Sequence, residues 1–426
     1  MQLVAYGAQD IYLTGNPQIT FFKAIYRRHT NFSMEAISQS FNGTSALGNK
    51  VSATISRNGD LIHKMYIQTD ITVKVGNTAG GGGGPPVVPP NMTVGLPNIG
   101  HRLIKEVEIE IGGQRIDKHY SEWLNIWSEL TVSKNKANGY NLMTDIPDYG
   151  TTIGATKTRT LYIPLQFWFC NNPSLALPLI ALQYHEVKII MVFESSDNMT
   201  YTSSTLATHQ SGGVKIVDGF EVETQPTVSI SNTSLWVDYM YLDTDERRRF
   251  AQVSHEYLIE QLQFTKFSNA IGSANGTNNK FDLVYNHPVK ELIWVCHNSD
   301  ETVWNTWSSV NECNLQLNGH DRMESRDGKY FSLVQPYQHH TNIPATEGSP
   351  HNINVYSFSL KPEDHQPSGT CNMSRIDNAS LNVSVTNALR DGAAGTGSTS
   401  SHVYIYAVNY NVLRIMGGMG GLAYSN

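Results

Sequence analysis

Glu106-Val107-Glu108-Ile109-Glu110-Ile111-Gly112-Gly113-Gln114-Arg115 alternates polar and apolar residues and then breaks at glycine. Cys313-Asn314-Leu315-Gln316-Leu317-Asn318-Gly319-His320-Asp321-Arg322 does the same, with Gly319 standing 319 minus 113, or 206, positions after Gly113. Within each stretch, residues two apart share a face, which is the period of a half-buried antiparallel strand. A second pair follows in the same order. Leu165 to Pro173-Ser174, leading into His185-Glu186-Val187-Lys188-Ile189, matches Leu360 to Pro367-Ser368, leading into Asp377 and Leu381 to Val385; the prolines are 367 minus 173, or 194, apart. Matched order with a drifting offset is the trace of a duplicated domain with unequal loops, and the short periods of solenoids do not fit it. The chain reads as two copies of one β domain.

Composition agrees. A chain of 426 residues is too long for one core and divides comfortably into two domains of about 200 residues. Charged residues are 16% of the chain, against roughly 25% in typical soluble domains. A net charge of -7 argues against wrapping nucleic acid, which needs a dense positive footprint. Cys170, Cys296, Cys313 and Cys371 form no CxxC pair, which predicts reduced, mostly buried thiols and a reducing compartment. Met1-Gln2-Leu3-Val4 opens without a basic region and a long apolar core, and the apolar run Leu175 to Leu182 is broken by Pro178. No segment reads as a secretion signal or a membrane span.

Strand signals run through the chain: Met34 to Phe41, Met65 to Val75, Arg159 to Phe169, Val187 to Phe193, Leu235 to Leu242, Tyr257 to Phe264, Glu291 to Val295, Val355 to Leu360, Leu381 to Val385 and His402 to Tyr406. Helical periodicity is confined to Ser121 to Leu130, Gln18 to Arg28 and a turn near Asp245 to Phe250. Many strands, few helices and irregular loop lengths predict two packed β-sandwiches rather than a propeller. The Gly- and Pro-rich run Gly76 to Asn91 precedes the Glu106 strand, so it reads as a surface loop of the first copy. The boundary between copies falls near Asp243 to Arg249.

Motifs of catalysis fail on inspection. His185-Glu186 and His255-Glu256 begin like HExxH, but Ile189 and Ile259 stand where the second ligand belongs, and both pairs read as strand residues with polar faces. No GxSxG elbow or GxxxxGK loop occurs. Gly418 to Ala423 satisfies GxGxxA, but only three residues follow, which leaves no room for a dinucleotide-binding helix; it reads as a flexible or tightly turned tail. Asp243 and Asp245 form a DxD pair opposed by Arg247-Arg248-Arg249, which fits a salt-bridged, solvated short helix. His339-His340 has no carboxylate or thiol partner at metal-binding spacing. Phe167-Trp168-Phe169 and Trp236 with Tyr239 and Tyr241 read as sandwich core and interface on strands. The sequence thus supplies no catalytic residue, no cofactor site and no metal site.

The opening Gly7 to Lys23, Ile55-Ser56-Arg57-Asn58-Gly59-Asp60-Leu61, Leu177 to Val187 and the ending Asn409 to Met416 closely resemble the major capsid proteins of large icosahedral double-stranded DNA viruses, particularly those infecting algae. The matches span nearly the whole chain in the family's order. The resemblance implies an all-β double jelly roll, two consecutive eight-stranded antiparallel sandwiches with few short helices. With the boundary near Asp243 to Arg249, the expected division is an arm at 1–20, rich in conformational breaks such as Gly15 and Pro17, and domains at 21–244 and 245–426. The resemblance also implies three subunits forming a pseudo-hexagonal capsomer that tiles an icosahedral shell, with minor capsid proteins as partners. The expected place is the virion shell, assembled in the host cytoplasm above an internal membrane that the chain does not enter. Glycans are also implied; of nine N-x-S/T sequons, Asn91, Asn198 and Asn275 lie in polar loops and are the candidates, whereas Asn382 lies on a strand. The alternative class for a jelly roll is a carbohydrate-binding module.

Overall fold

The glycine stops of the two quoted stretches are tight hairpins. Ile111 pairs with Gln114 and Leu317 with His320, so each loop has two residues. Both central residues have positive φ in each: Gly112 and Gly113 at 58° and 82°, Asn318 and Gly319 at 52° and 78°. Positive φ at both positions matches the right-handed twist of the flanking strands and selects Gly and Asn. In this computed structural model the described residues are 28–74, 98–145, 156–199, 227–271, 278–297, 310–344, 353–385 and 401–424, with the short strands Asn77–Thr78, His209–Ser211, Val214–Val217 and Phe220–Thr224 and isolated positions nearer the amino terminus.

Eight strands build the first sandwich: β1 (Phe32–Gln39), β2 (Lys50–Thr54), β3 (Leu61–Lys74), β4 (Ile104–Ile111), β5 (Gln114–Tyr120), β6 (Thr156–Pro164), β7 (Val187–Phe193) and β8 (Thr227–Leu242). Eight more build the second: β9 (His255–Ile271), β10 (Asn278–Leu283), β11 (Pro288–His297), β12 (Val310–Leu317), β13 (His320–Asp321), β14 (Asn354–Ser357), β15 (Ala379–Val385) and β16 (Ser401–Met416). The first forms sheets ordered β1-β8-β3-β6 and β2-β7-β4-β5; the second forms β9-β16-β11-β14 and β10-β15-β12-β13. Adding eight to each number of the first pair gives the second pair. This is the jelly-roll order, and it occurs twice.

Register reproduces the second sequence offset. Pro178 sits opposite Leu61 at the start of β3, and Asn372 sits opposite Pro288 at the start of β11. Their separation, 372 minus 178, is again 194. Each sandwich encloses its own apolar core, one centred on Ile67, Ile109, Met191 and Val237, the other on Leu292, Trp294, Leu381 and Ile405. Cys170, Cys296 and Cys313 are buried free thiols, and Cys371 is a half-buried one. Burial pushes Cys170 and Cys296 up to about 12, which removes thiolate reactivity.

The differences from the sequence reading have local causes. The strand expected over Arg159 to Phe169 ends at Pro164, and Trp168–Asn171 is a short helix instead. Proline has no N–H to extend the ladder, and Phe167 and Phe169 turn down into the core. The strand expected to reach Leu360 stops at Ser357, whose hydroxyl donates to the Ser359 carbonyl in a local turn. The helix Lys134–Thr144 was not anticipated; its exposed polar surface carries little apolar periodicity. The helix expected over Gln18 to Arg28 and the arm at 1–20 lie almost entirely outside the described residues, as does most of Gly76 to Asn91.

Candidate assembly surface

The helix Ser121–Thr131 leaves β5 and joins the two sandwiches. Leu124 points into its own core. Trp123, Ile126, Trp127 and Leu130, at helical spacing, lie on another face and pack against Ile293, Val295, Val355, Tyr406 and Val408 of the second sandwich. The outer face of sheet β9-β16-β11-β14 is therefore covered from within the chain. The Tyr406 hydroxyl donates to Glu122 at 3.2 Å, and burial beside that carboxylate pushes the phenol upward.

Buried charges line the same seam. Lys290 is fully buried, with Nζ 2.8 Å from Glu260 and facing the rings of Trp127 at 6.0 Å and Tyr410 at 5.7 Å. His340 bridges Glu291 at 3.0 Å and Glu363 at 2.9 Å. Burial opposes its charge, yet the two carboxylates prevail and hold the imidazole up at about 9. Asp117 pairs with His119 at 3.0 Å and also accepts the Leu262 amide from the second sandwich at 3.1 Å. Buried charges of this kind are tolerated only when paired, so removing one partner of such a pair is costly.

The carboxyl-terminal hairpin closes the other side of the seam. Leu413 and Ile415 join the first core, the Tyr184 amide donates to the Gly418 carbonyl at 3.0 Å, and His185 contacts Gly420. Gly417 and Gly418 both have positive φ, which makes the GxGxxA match a tight turn. His185-Glu186 lies in the turn before β7, not on a strand, and His185 serves this docking.

A cavity of about 350 Å³ opens on the seam between Trp127, Trp168, Glu260, Glu363 and Asp364. Its carboxylates already serve Lys290, His340 and Lys361, so none is poised as a free acid and base. Asp243 of the DxD pair accepts the Thr244 amide and caps the helix Thr244–Gln252, while Arg247 pairs with Asp60 at 2.9 Å. His339-His340 looked partnerless because Glu291 and Glu363 are distant in sequence; only folding assembles that trio. Among the described residues no group of His, Cys, Asp and Glu could hold a metal, and no helix is long and apolar enough to cross a membrane. Asn91 and Asn275 lie outside the described residues, and Asn198 falls in the short turn Ser196–Met199.

Among the described residues, one aromatic surface is only partly covered. On the outer face of sheet β1-β8-β3-β6, Tyr66 stacks on Trp236 at 6.2 Å and approaches Tyr162 at 6.1 Å, and Met34 on the edge strand is 48% exposed. Sequence reading placed Trp236 with Tyr239 and Tyr241; the structure separates them, sending Tyr239 into the core and Trp236 outward.

The comparisons with known proteins agree with this architecture. Residues 20–243 match the family described as "Major capsid protein N-terminus", and residues 246–421 match "Large eukaryotic DNA virus major capsid protein". The chain is 51% identical to the major capsid protein of Pyramimonas orientalis virus, over 100% of this chain and 99% of that protein. It superimposes on the PBCV-1 virus capsid protein with a TM-score of 0.73 at 38% identity, covering 96% of this chain and 100% of the other. The Faustovirus major capsid protein shares the fold alone, with a TM-score of 0.70 at 13% identity over 96% of this chain and 94% of the other. Two jelly rolls in one chain, both matched end to end by capsid families, place the protein among the major capsid proteins of large eukaryotic DNA viruses, a structural and not an enzymatic family.

Proposed function

We propose that the chain trimerises into pseudo-hexagonal capsomers that tile an icosahedral shell. The observation that carries this reading is the repeated strand order: two like sandwiches per chain give six like walls around a threefold axis, and a closed head-to-tail ring of that shape packs a flat facet. The domains are taken as 21–244 and 245–426, with 1–20 as an arm that docks on the inner face or on a neighbour. Minor capsid proteins are the expected further partners, in a shell assembled in the host cytoplasm over an internal membrane that the chain does not enter.

Glycans at Asn91, Asn198 and Asn275 belong to the same proposal. These residues fall in the connections β3–β4, β7–β8 and β9–β10, whereas the helix Thr244–Gln252 follows the far end of β8. The described strand ends that flank those connections, Lys74, Thr227 and Ile271, lie opposite that helix by antiparallel alternation, and the proposal puts the sugars at that pole of the subunit.

Light scattering on the purified protein, with electron microscopy of the same fraction, tests the reading. A species of three subunit masses with a hexagonal outline is expected. A protein that remains a single subunit at every concentration and forms no lattice contradicts it.

A further inference from the structure

The two sandwiches share one strand order, which makes a difference between them informative. The outer face of sheet β9-β16-β11-β14 is covered by the helix between β5 and β6, whereas on the corresponding face of the first sandwich Tyr66 and Trp236 are only half-buried and Tyr162 is 39% exposed. Register identifies the matching positions. Ile293 on β11 pairs with Tyr406 on β16 and Val355 on β14; Tyr66 on β3 pairs with Trp236 on β8 and Pro164 on β6. Tyr66, Trp236 and Pro164 thus stand where Ile293, Tyr406 and Val355 meet the covering helix.

The covering element also has a counterpart. Between β13 and β14 the π-helical turn Tyr330–Val334 runs into the helix Gln335–His339. Phe331 enters the second core as Leu124 enters the first, 331 minus 124, or 207, residues earlier. The same offset carries Ile126, Trp127 and Leu130, which are buried against the second sandwich, onto Leu333, Val334 and Tyr337. Those three are 38%, 39% and 76% exposed. An exposed apolar helix face and a half-buried aromatic sheet face are thus related in the same way as a pair already joined within the chain.

We infer that, in the assembled protein, Leu333, Val334 and Tyr337 of one copy cover the Tyr66, Trp236 and Tyr162 face of the next. The occupant is a second copy, because the geometry that joins domain one to domain two inside the chain, applied once more, joins domain two to domain one of a neighbour. Such a contact is heterologous, and in the trimeric reading above it closes as a ring after three chains. Charge follows the same mapping. Glu122, which accepts from Tyr406, corresponds to Lys329, and the face it would meet carries Asp238 on the same strand as Trp236. This inference rests on the trimeric reading above and deepens it by naming the two halves of the contact.

The test compares wild type with Tyr337→Asp and Tyr162→Asp, each an exposed position, by light scattering and circular dichroism. Each variant is expected to keep the wild-type spectrum and to fall from three subunit masses to one. An equimolar mixture is expected to stop at two subunits, since only the intact helix of one variant and the intact sheet of the other can meet. A Tyr337→Asp protein that remains trimeric beside a trimeric wild type overturns this contact and leaves the trimeric reading standing, as does a mixture that regains three subunits. A wild type that never exceeds one subunit mass overturns the trimeric reading and this inference with it.

Discussion

Nε2 of His340 lies 3.0 Å from the carboxylate of Glu291, and both side chains are wholly buried. With Glu363 on its other nitrogen, the imidazole ties the segment after the helix Gln335–His339 to β11, directly beneath the seam. The next segment along reaches across, the Asn342 amide donating to the Leu130 carbonyl at 2.9 Å. A titratable group therefore sits under the joint between sandwiches.

Its folded pKa of about 9 exceeds the ordinary 6.5, so the proton is held more tightly in the native state. The stabilisation is complete below about pH 6.5 and is lost as pH rises through about 9, on the order of 3 kcal/mol in all. Thermal melts of wild type and His340→Gln from pH 6 to 10 are expected to differ most at pH 6 and to converge near pH 9.5. A constant difference across that range would show that His340 is not charged in the fold.

Trp127 and Val334 occupy the same helical position in the two domains, one buried and one open. Trp127→Ala is expected to cost roughly 3–5 kcal/mol, as large buried aromatics do, and to split unfolding into two transitions. Val334→Ala in the isolated subunit is expected to cost under about 0.5 kcal/mol. Urea denaturation followed by fluorescence reads both; equal losses would mean that the helix Ser121–Thr131 does not bind the domains together.

Gly112 and Gly113 share positive φ but not surroundings. A Cβ on Gly113 meets nothing within 4 Å, whereas one on Gly112 would collide with the imidazole of His185. Gly113→Ala is expected to cost about 1–2 kcal/mol from backbone conformation alone. Gly112→Ala should cost more and free the carboxyl-terminal hairpin, because His185 also holds Gly420. Limited proteolysis near Met416 separates the two; identical cleavage rates would remove His185 from this role.

How far the sequence could be read follows from which interactions are local. The strands that stop at Gly113 and Gly319 were legible because alternation is a period-two signal and glycine punctuates it; the hairpins themselves are a finding of the structure. The short helix at Trp168–Asn171 hid inside an aromatic run that suits a strand equally well. His340 was dismissed because Glu291 and Glu363 lie 49 residues before it and 23 after it, and no spacing rule spans such gaps. The dual role of Ser121–Thr131 was invisible for a related reason: its periodicity announced an amphipathic helix, but not that Leu124 and Trp127 serve different domains.

Electron cryomicroscopy of the assembled oligomer tests the central claim most directly. The account predicts a threefold ring of six sandwiches in which Leu333 and Tyr337 of each subunit lie over Tyr66 and Trp236 of the next. A ring in which that sheet face remains open to solvent, or a twofold assembly joining like faces, would contradict it.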